Sequence, residues 1–98
     1  MWKNQTVCVV FPVYNEEENI KKAIEDFFET SYVDQIIAVD NNSSDNTKQE
    51  ILNTSAKYVF EEEQGYGSAL IRGLKESYSD LIITCEPDGT FKPADIVK

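Results

Sequence analysis

At 98 residues, with 41% hydrophobic and 28% charged side chains, the chain has the size and composition of one small soluble globular domain. Its 18 acidic and 9 basic residues give a net charge of -9, which argues against nucleic-acid backbones and anionic lipid as partners. The lack of any histidine excludes a histidine-based catalytic triad and the common type of zinc site.

The sequence also bears on cellular location and on the state of the two cysteines. No apolar stretch approaches the roughly 18 residues of a membrane span, and the first residues do not open a signal peptide, so we expect a cytoplasmic protein. Cys8 and Cys85 both fall inside predicted strands. We therefore expect two buried thiols rather than a disulfide.

The first predicted elements are a strand and a helix. The apolar run 6–11 predicts a buried strand that Pro12 ends. Asn15 is expected to cap the following helix, whose first turn would contain three glutamates and which would run to about residue 30. Its apolar stripe has three- and four-residue spacing and consists of Ile20, Ala23, Ile24, Phe27 and Phe28.

Two more strand and helix pairs follow. A strand over 35–39 leads through a polar turn to a helix over about 46–53, for which Asp45 is a second expected cap. A strand over 56–60 is followed by an acidic loop and a helix over 67–78. The apolar face of that helix is predicted to consist of Leu70, Ile71 and Leu74.

The last predicted elements are a strand over 80–85 and a helix that starts at Ala94. Regular alternation of strands and helices predicts an α/β fold, a three-layer α/β/α arrangement with a four-stranded parallel sheet of Rossmann-like type. In such sheets ligands bind beyond the carboxyl ends of the strands. The unusual polar clusters all fall at predicted strand ends, at 12–16, 40–45 and 86–88.

Glu86 and Asp88 place two carboxylates just after the last predicted strand. Hard divalent cations prefer oxygen ligands, and a diphosphate needs such a cation to offset its charge. With the strand order 3-2-1-4, the first and fourth strands would be neighbours. The ring of Tyr14 and the carboxylate of Asp88 would then face one pocket.

Four ordered segments carry a family resemblance. They are residues 11–16 (Phe-Pro-Val-Tyr-Asn-Glu), 39–47 (Val-Asp-Asn-Asn-Ser-Ser-Asp-Asn-Thr), 65–67 (Gly-Tyr-Gly) and 86–91 (Glu-Pro-Asp-Gly-Thr-Phe). Together they resemble the signature of family 2 glycosyltransferases with the GT-A fold, across nearly the whole chain. Residues 65–73 are similar to the dolichyl-phosphate mannose synthase branch of that family. The resemblance identifies residues 1–98 as a single truncated GT-A domain, the nucleotide-binding half of that fold.

The resemblance implies a set of residues that contact a nucleotide-diphosphate sugar. Pro12, Tyr14 and Glu16 would line the nucleoside pocket, and Asp40 would hold the base edge. A tyrosine ring can stack on a base, and a carboxylate can accept protons from uracil or guanine. Asn41 stands where many relatives have a second acid.

The same resemblance assigns the diphosphate end of the ligand. Asp88 would bind Mg²⁺ or Mn²⁺, and Glu86, in place of the usual aspartate, would reach the ribose or a metal-bound water. Gly67 is either a ligand contact or part of a tight loop. Arg72 either binds the diphosphate or is a surface residue of its helix.

The implied activity is that of a hexosyltransferase, which transfers a sugar with inversion from a nucleotide diphosphate to a lipid-phosphate or saccharide acceptor. The family's catalytic base and acceptor-binding elements follow the region of Asp88, so the 98-residue chain by itself is expected to be inactive. Its exposed fourth strand predicts a homo-oligomer. Two alternatives stay open: a non-catalytic nucleotide-binding or assembly module, and a phospho-acceptor signalling domain.

Overall fold

A computed structural model of the chain describes residues 1–85, and the helix predicted to start at Ala94 lies outside them. Strands and helices alternate in the order β1 (Val7–Val13), α1 (Ile20–Phe28), β2 (Gln35–Asp40), α2 (Thr47–Leu52), β3 (Lys57–Phe60), α3 (Tyr66–Glu76) and β4 (Leu81–Thr84). Within residues 1–85, no helix has the length and apolar character needed to cross a membrane.

The four strands form one parallel sheet in the order β3-β2-β1-β4, which confirms the predicted topology. β1 lies between β2 and β4, and its residues from Val7 to Phe11 have no exposed surface. Each connection between parallel neighbours contains a helix, as parallel pairing requires. The carboxyl ends of all four strands therefore lie along one edge of the sheet.

The two faces of the sheet carry separate apolar clusters, because successive side chains of a strand point to opposite faces. On one face Val9, Phe11 and Val13 pack with residues of α1 and α2 such as Ile24 and Ile51. On the other face Cys8, Val10 and Val39 belong to a cluster with Ala69 of α3. The prediction of helices on both faces is confirmed.

Pro12 does not end β1, as the sequence pattern suggested, because the strand continues to Val13. The carbonyls of Val7 and Val13 accept hydrogen bonds on the β2 side, whereas the carbonyl of Val10 accepts the N–H of Cys85 on the β4 side. Pro12 follows Val10 by two residues, so its backbone groups point to the same neighbouring strand as those of Val10. Its missing N–H therefore falls on the β4 side and leaves the pairing with β2 intact.

The first helix begins at Ile20 rather than near Glu16, and the prediction that Asn15 caps it is wrong. Asn15 has φ = 50° and belongs to the loop after β1. The carbonyl of Glu16 accepts the N–H groups of Asn19 and Ile20, so a single turn precedes the helix. Of the predicted stripe, Ile20, Ile24 and Phe27 are buried, Ala23 is partly buried, and Phe28 is 37% exposed.

The buried face of α3 also differs from the predicted one. Ile71 and Leu74 are 56% and 42% exposed, and the fully buried positions are Ala69 and Gly73. A Cβ atom at Gly73 would lie 2.3 Å from Cγ1 of Val10. The small residues let the helix backbone lie directly on the sheet, which bulky side chains at these positions would prevent.

Both cysteines are buried free thiols, which confirms the expectation that they form no disulfide. Burial raises the pKa of Cys8, although a hydrogen bond with Ser77 opposes this effect. Burial raises the pKa of Cys85 to about 12. Both side chains therefore behave as small apolar residues of the core.

Candidate functional site

Three loops leave the carboxyl edge of the sheet, at 14–19, 41–46 and 61–65, and we call them the edge loops. Hydrogen bonds connect them to each other and to the strand ends. The N–H of Asn41 donates to the carbonyl of Val13 (2.8 Å), and the N–H of Glu61 donates to the carbonyl of Asp40 (2.9 Å). The ends of β1, β2 and β3 are thus held side by side, and the polar segments predicted at 12–16 and 40–45 lie at the same edge of the sheet.

Asp40 ends β2 and is only 3% exposed. Its Oδ1 accepts the N–H of Ser43 (3.0 Å), and its Oδ2 accepts the hydroxyl of Tyr58 (2.7 Å) on β3. Burial, together with the adjacent Asp40 carboxylate, raises the pKa of the Tyr58 hydroxyl above its usual value. Each carboxylate oxygen therefore has one intramolecular donor, and only its remaining lone pairs are available to a ligand.

Asn41 connects the second and third edge loops through its side-chain amide, and is 5% exposed. Its Nδ2 donates to the carbonyls of Glu61 (3.2 Å) and Glu63 (2.8 Å), while its Oδ1 accepts the N–H of Gly65 (2.9 Å). An aspartate could not donate the first two bonds. The amide of Asn41 thus stabilises the third edge loop.

Gly65 begins the turn into α3 with φ = 145°, a backbone conformation that favours glycine. Gly67 lies in the first turn of the same helix, and a Cβ there would meet nothing within 4 Å. The space beside Gly67 is thus open, while the tight loop depends on Gly65.

Tyr14, the predicted base-stacking residue, directly follows β1 as the first residue of the first edge loop and is 51% exposed. Pro12 and Glu16, its predicted companions, are half-buried on either side of it in the chain. Oε2 of Glu16 accepts an amide proton of Asn19 (3.2 Å). The structure therefore places these three residues together at the carboxyl edge, with an aromatic ring open to solvent.

Asn15 and Asp45 were both expected to cap helices. Oδ1 of Asn15 instead accepts the N–H of Ser44 (2.8 Å), so it joins two edge loops. Asp45 Oδ1 accepts the N–H of Thr47 (3.0 Å), the first residue of α2, although the assigned N-cap is Asn46. Burial disfavours the charge of Asp45, but hydrogen bonds from Thr47 and from a backbone amide of the first edge loop hold its pKa below the usual range.

Arg72 lies in the middle of α3, and its side chain reaches back to the third edge loop. Its guanidinium forms ion pairs with Glu61 (3.6 Å) and Glu76 (3.5 Å) and is partly exposed. The guanidinium is thus both a surface group of its helix and a neighbour of the edge loops, and the two roles left open by the sequence stay predictions.

The edge loops contain glutamates and one aspartate but neither lysine nor arginine. No cluster of three or more acidic or cysteine side chains able to hold a metal occurs within residues 1–85. The predicted metal ligand Asp88 and its neighbour Glu86 lie outside the described residues. An anionic ligand at this edge would therefore need a cation that these loops do not supply.

Sequence reasoning missed Tyr58 and Thr47, which contact predicted site residues. Tyr58 lies two residues before the end of β3, and nothing in the sequence pattern indicated that its hydroxyl would bind Asp40 at the end of β2. Thr47 is fully buried and accepts the N–H of Glu16 (2.9 Å). Thr47 is the last residue of the segment 39–47 that carries the resemblance, but neither that segment nor the helix predicted over about 46–53 indicated a contact with Glu16.

Comparison with protein families gives a match over residues 8–98 to the family described as glycosyl transferase family 2. The chain is 31% identical, over 97% of its length, to the UDP-N-acetylglucosamine–dolichyl-phosphate N-acetylglucosaminyltransferase of Methanococcus voltae. It is 32% identical, over 94% of its length, to a dolichol-phosphate mannosyltransferase of Pyrococcus furiosus. The chain spans 46% and 28% of the lengths of these two relatives.

Solved structures with the same fold include two sugar-phosphoglycerate synthases. The mannosyl-3-phosphoglycerate synthase from Rubrobacter xylanophilus matches 91% of this chain with a TM-score of 0.81 and 26% identity, and the match covers 33% of that protein. The glucosyl-3-phosphoglycerate synthase from Mycobacterium tuberculosis, in complex with Mn²⁺, UDP and glucosyl-3-phosphoglycerate, matches 87% with a TM-score of 0.78 and 27% identity, and the match covers 34% of that protein.

Proposed function

The chain belongs to glycosyl transferase family 2 and has the GT-A fold, and from this we propose that it binds the nucleotide of a nucleotide-diphosphate sugar. The carrying observation is the convergence of three hydrogen-bonded edge loops, with the half-exposed ring of Tyr14, at the carboxyl edge of a parallel sheet. This is where open α/β sheets bind ligands. The family match gives no support to the phospho-acceptor alternative.

In this proposal Tyr14 stacks on the base, while Pro12 and Glu16 line the nucleoside pocket. Asp40 accepts a hydrogen bond from an N–H of the base edge with the lone pairs that Ser43 and Tyr58 leave unused. Asn41 contributes indirectly, because its amide fixes the loop that leads to Gly67. A half-exposed ring on a fixed loop is suited to stacking, because little conformational freedom remains to be lost on binding.

A divalent cation, Mg²⁺ or Mn²⁺, belongs to the proposal because every charged side chain of the edge loops is negative. When bound, such an ion would neutralise a diphosphate and stabilise it as a leaving group. Asp88 remains the proposed metal ligand, and Glu86 is proposed to reach the ribose or a metal-bound water. The complex of the Mycobacterium tuberculosis relative with Mn²⁺ and UDP supports this choice of ion and ligand class.

The full activity proposed for the protein is inverting transfer of the sugar to a lipid-phosphate or saccharide acceptor. Relatives named as dolichyl-phosphate transferases support the first acceptor class. We also propose self-association through β4, which forms the edge of the described sheet and where Ile82 is 38% exposed. Light scattering that gives the mass of a single chain at high concentration would reject that association.

Calorimetric titration with UDP and GDP, each with and without MnCl₂, tests the proposed function. We expect binding that depends on the metal and that is lost with EDTA. Tyr14→Ala should weaken it by roughly 5- to 150-fold, the effect of about 1–3 kcal/mol of base stacking. Tyr78→Ala is the matched control, since Tyr78 is 93% exposed and follows α3 at the opposite edge of the sheet.

Two results would count against the proposal. No binding heat with either nucleotide, with or without Mn²⁺, would reject nucleotide binding by this chain. Equal affinities of the unsubstituted chain and the Tyr14→Ala variant would reject the stacking role of Tyr14 but not nucleotide binding itself.

A further inference from the structure

Three consecutive backbone amides of the first edge loop donate to side chains of the second edge loop or the start of α2. The pairs are Asn15 N–H to Ser43 Oγ (3.0 Å), Glu16 N–H to Thr47 Oγ1 (2.9 Å) and Glu17 N–H to Asp45 Oδ2 (3.3 Å). Since α1 begins only at Ile20, and the turn before it engages the carbonyl of Glu16, no helical hydrogen bond takes up these three amides of the loop. Its conformation depends instead on side chains that follow a different strand.

The hydroxyl of Thr47 is the centre of this arrangement. It accepts the N–H of Glu16 and donates its own proton to Oδ1 of Asp45, which also accepts the N–H of Thr47. The second oxygen of Asp45 accepts the N–H of Glu17. Thr47 is fully buried, so water cannot replace its hydroxyl without a change in packing.

The same bonds decide what the first edge loop can offer a ligand. Its three successive amides could form an anion-binding concavity if they were free. They already have side-chain acceptors, so they do not compete for a phosphate. The loop can contribute to binding through what it presents, which is the ring of Tyr14 and the side chain of Glu16.

We propose that Asp45 and Thr47 are positioning residues for the nucleotide. They hold the first edge loop in the conformation that presents Tyr14 and Glu16, and they do not touch the ligand themselves. This inference depends on the proposed function, because Asp45 and Thr47 would position residues of the same proposed nucleotide site.

The test compares Thr47→Val, which keeps the shape but removes the hydroxyl, with Thr47→Ser, which restores a hydroxyl. Thr54→Val is the matched control, because the Thr54 hydroxyl also donates within the structure, to the carbonyl of Ile51 at the other end of α2. For each variant, amide hydrogen exchange of Glu16 and Glu17 is measured by NMR without nucleotide. The affinity for UDP with Mn²⁺ and the free energy of unfolding are measured in parallel.

We expect Thr47→Val to exchange the Glu16 and Glu17 amides about tenfold faster and to bind UDP about tenfold more weakly, because a donor has lost its buried acceptor. Thr47→Ser should restore both properties. Thr54→Val should be less stable than the unsubstituted chain, yet bind UDP with unchanged affinity. That contrast separates positioning from a general loss of stability.

Unchanged exchange of the Glu16 and Glu17 amides in Thr47→Val would overturn the positioning role, whatever the nucleotide result. Faster exchange with unchanged UDP affinity would also overturn it, since the loop would then be free without cost to binding. An unsubstituted chain that binds no nucleotide would overturn the proposed function itself, and the exchange data would still show whether Thr47 fixes the loop.

Discussion

The hydroxyl of Tyr58 on β3 donates a 2.7 Å hydrogen bond to Oδ2 of Asp40 at the end of β2, so a strand that supplies no predicted site residue supports one that does. The bond joins neighbouring strands through side chains, in addition to their backbone pairing. It also gives the pair a distinctive dependence on pH.

Tyr58→Phe should lower the free energy of unfolding by about 1–2 kcal/mol near neutral pH, because the buried Asp40 carboxylate loses a donor. The pKa of Tyr58 is raised on folding, so its contribution is complete below the unfolded pKa of about 10 and is lost as the pH rises above it. Urea denaturation from pH 7 to 11 should show the two proteins converging at the alkaline end. A constant difference across that range would contradict the prediction.

Asn41→Asp should destabilise the chain by about 1–3 kcal/mol, since a carboxylate cannot donate to the carbonyls of Glu61 and Glu63. Lowering the pH should recover part of the loss, because a protonated carboxyl can donate once. Asn42→Asp at the exposed neighbouring position is the control, and chemical denaturation should show almost no change in its free energy of unfolding. Equal stabilities of the two variants would show that the amide of Asn41 does not hold the loop.

Gly73→Ala should destabilise the fold by about 1–3 kcal/mol, because the new methyl group would overlap Val10 and approach Val39 to 3.1 Å. Helix propensity alone predicts the opposite sign. Gly67→Ala in the same helix meets open space and should gain up to about 1 kcal/mol. Thermal unfolding of both variants measures the contrast, and a stabilised Gly73→Ala would mean that α3 can move off the sheet.

Asp45 should contribute to stability only when it is ionised. Its pKa is lowered on folding, so the contribution is present above the unfolded pKa of about 3.9 and is lost as the pH falls below it. The stability advantage over Asp45→Asn should therefore disappear between about pH 4 and pH 2 in acid titrations followed by circular dichroism. An advantage that persists at pH 2 would point to packing rather than charge.

Neither thiol should react with Ellman's reagent in the native protein at pH 8, because Cys8 and Cys85 are buried and their pKa values are raised. Both should react at once in urea. Single serine variants assign the two thiols, and rapid native reaction of either one would mean that the packing around it opens readily.

The strand order was predictable because strand and helix alternation with short connections leaves few topologies, and the end of each strand was marked by polar residues. The start of α1 was not. Glu16 and Glu17 have the composition of a first helical turn, but their amides bind Thr47 and Asp45, which are about 30 residues distant in the chain. Local pattern carries no information about such partners.

The face of α3 was missed for a different reason. Hydrophobicity favours Leu70, Ile71 and Leu74 as the buried stripe, whereas close contact of a helix backbone with a sheet favours small residues, here Ala69 and Gly73. The candidate site shows the same limit. Tyr14 and Asp40 could be placed at one edge from topology, but the burial of Asp40 beneath Tyr58 depends on side-chain packing that a sequence pattern does not reveal.

Pro12 gives the central strand an asymmetric flank. Toward β2 the backbone of β1 offers both donors and acceptors, but beyond Val10 the opposite flank has the Pro12 carbonyl without an accompanying N–H. A peptide segment that aligned there would have one carbonyl without a backbone donor from β1. A hydroxyl group has a single donor, for which the Pro12 carbonyl is a suitable acceptor, so this proline makes the flank better suited to a hydroxyl-bearing small molecule than to another strand.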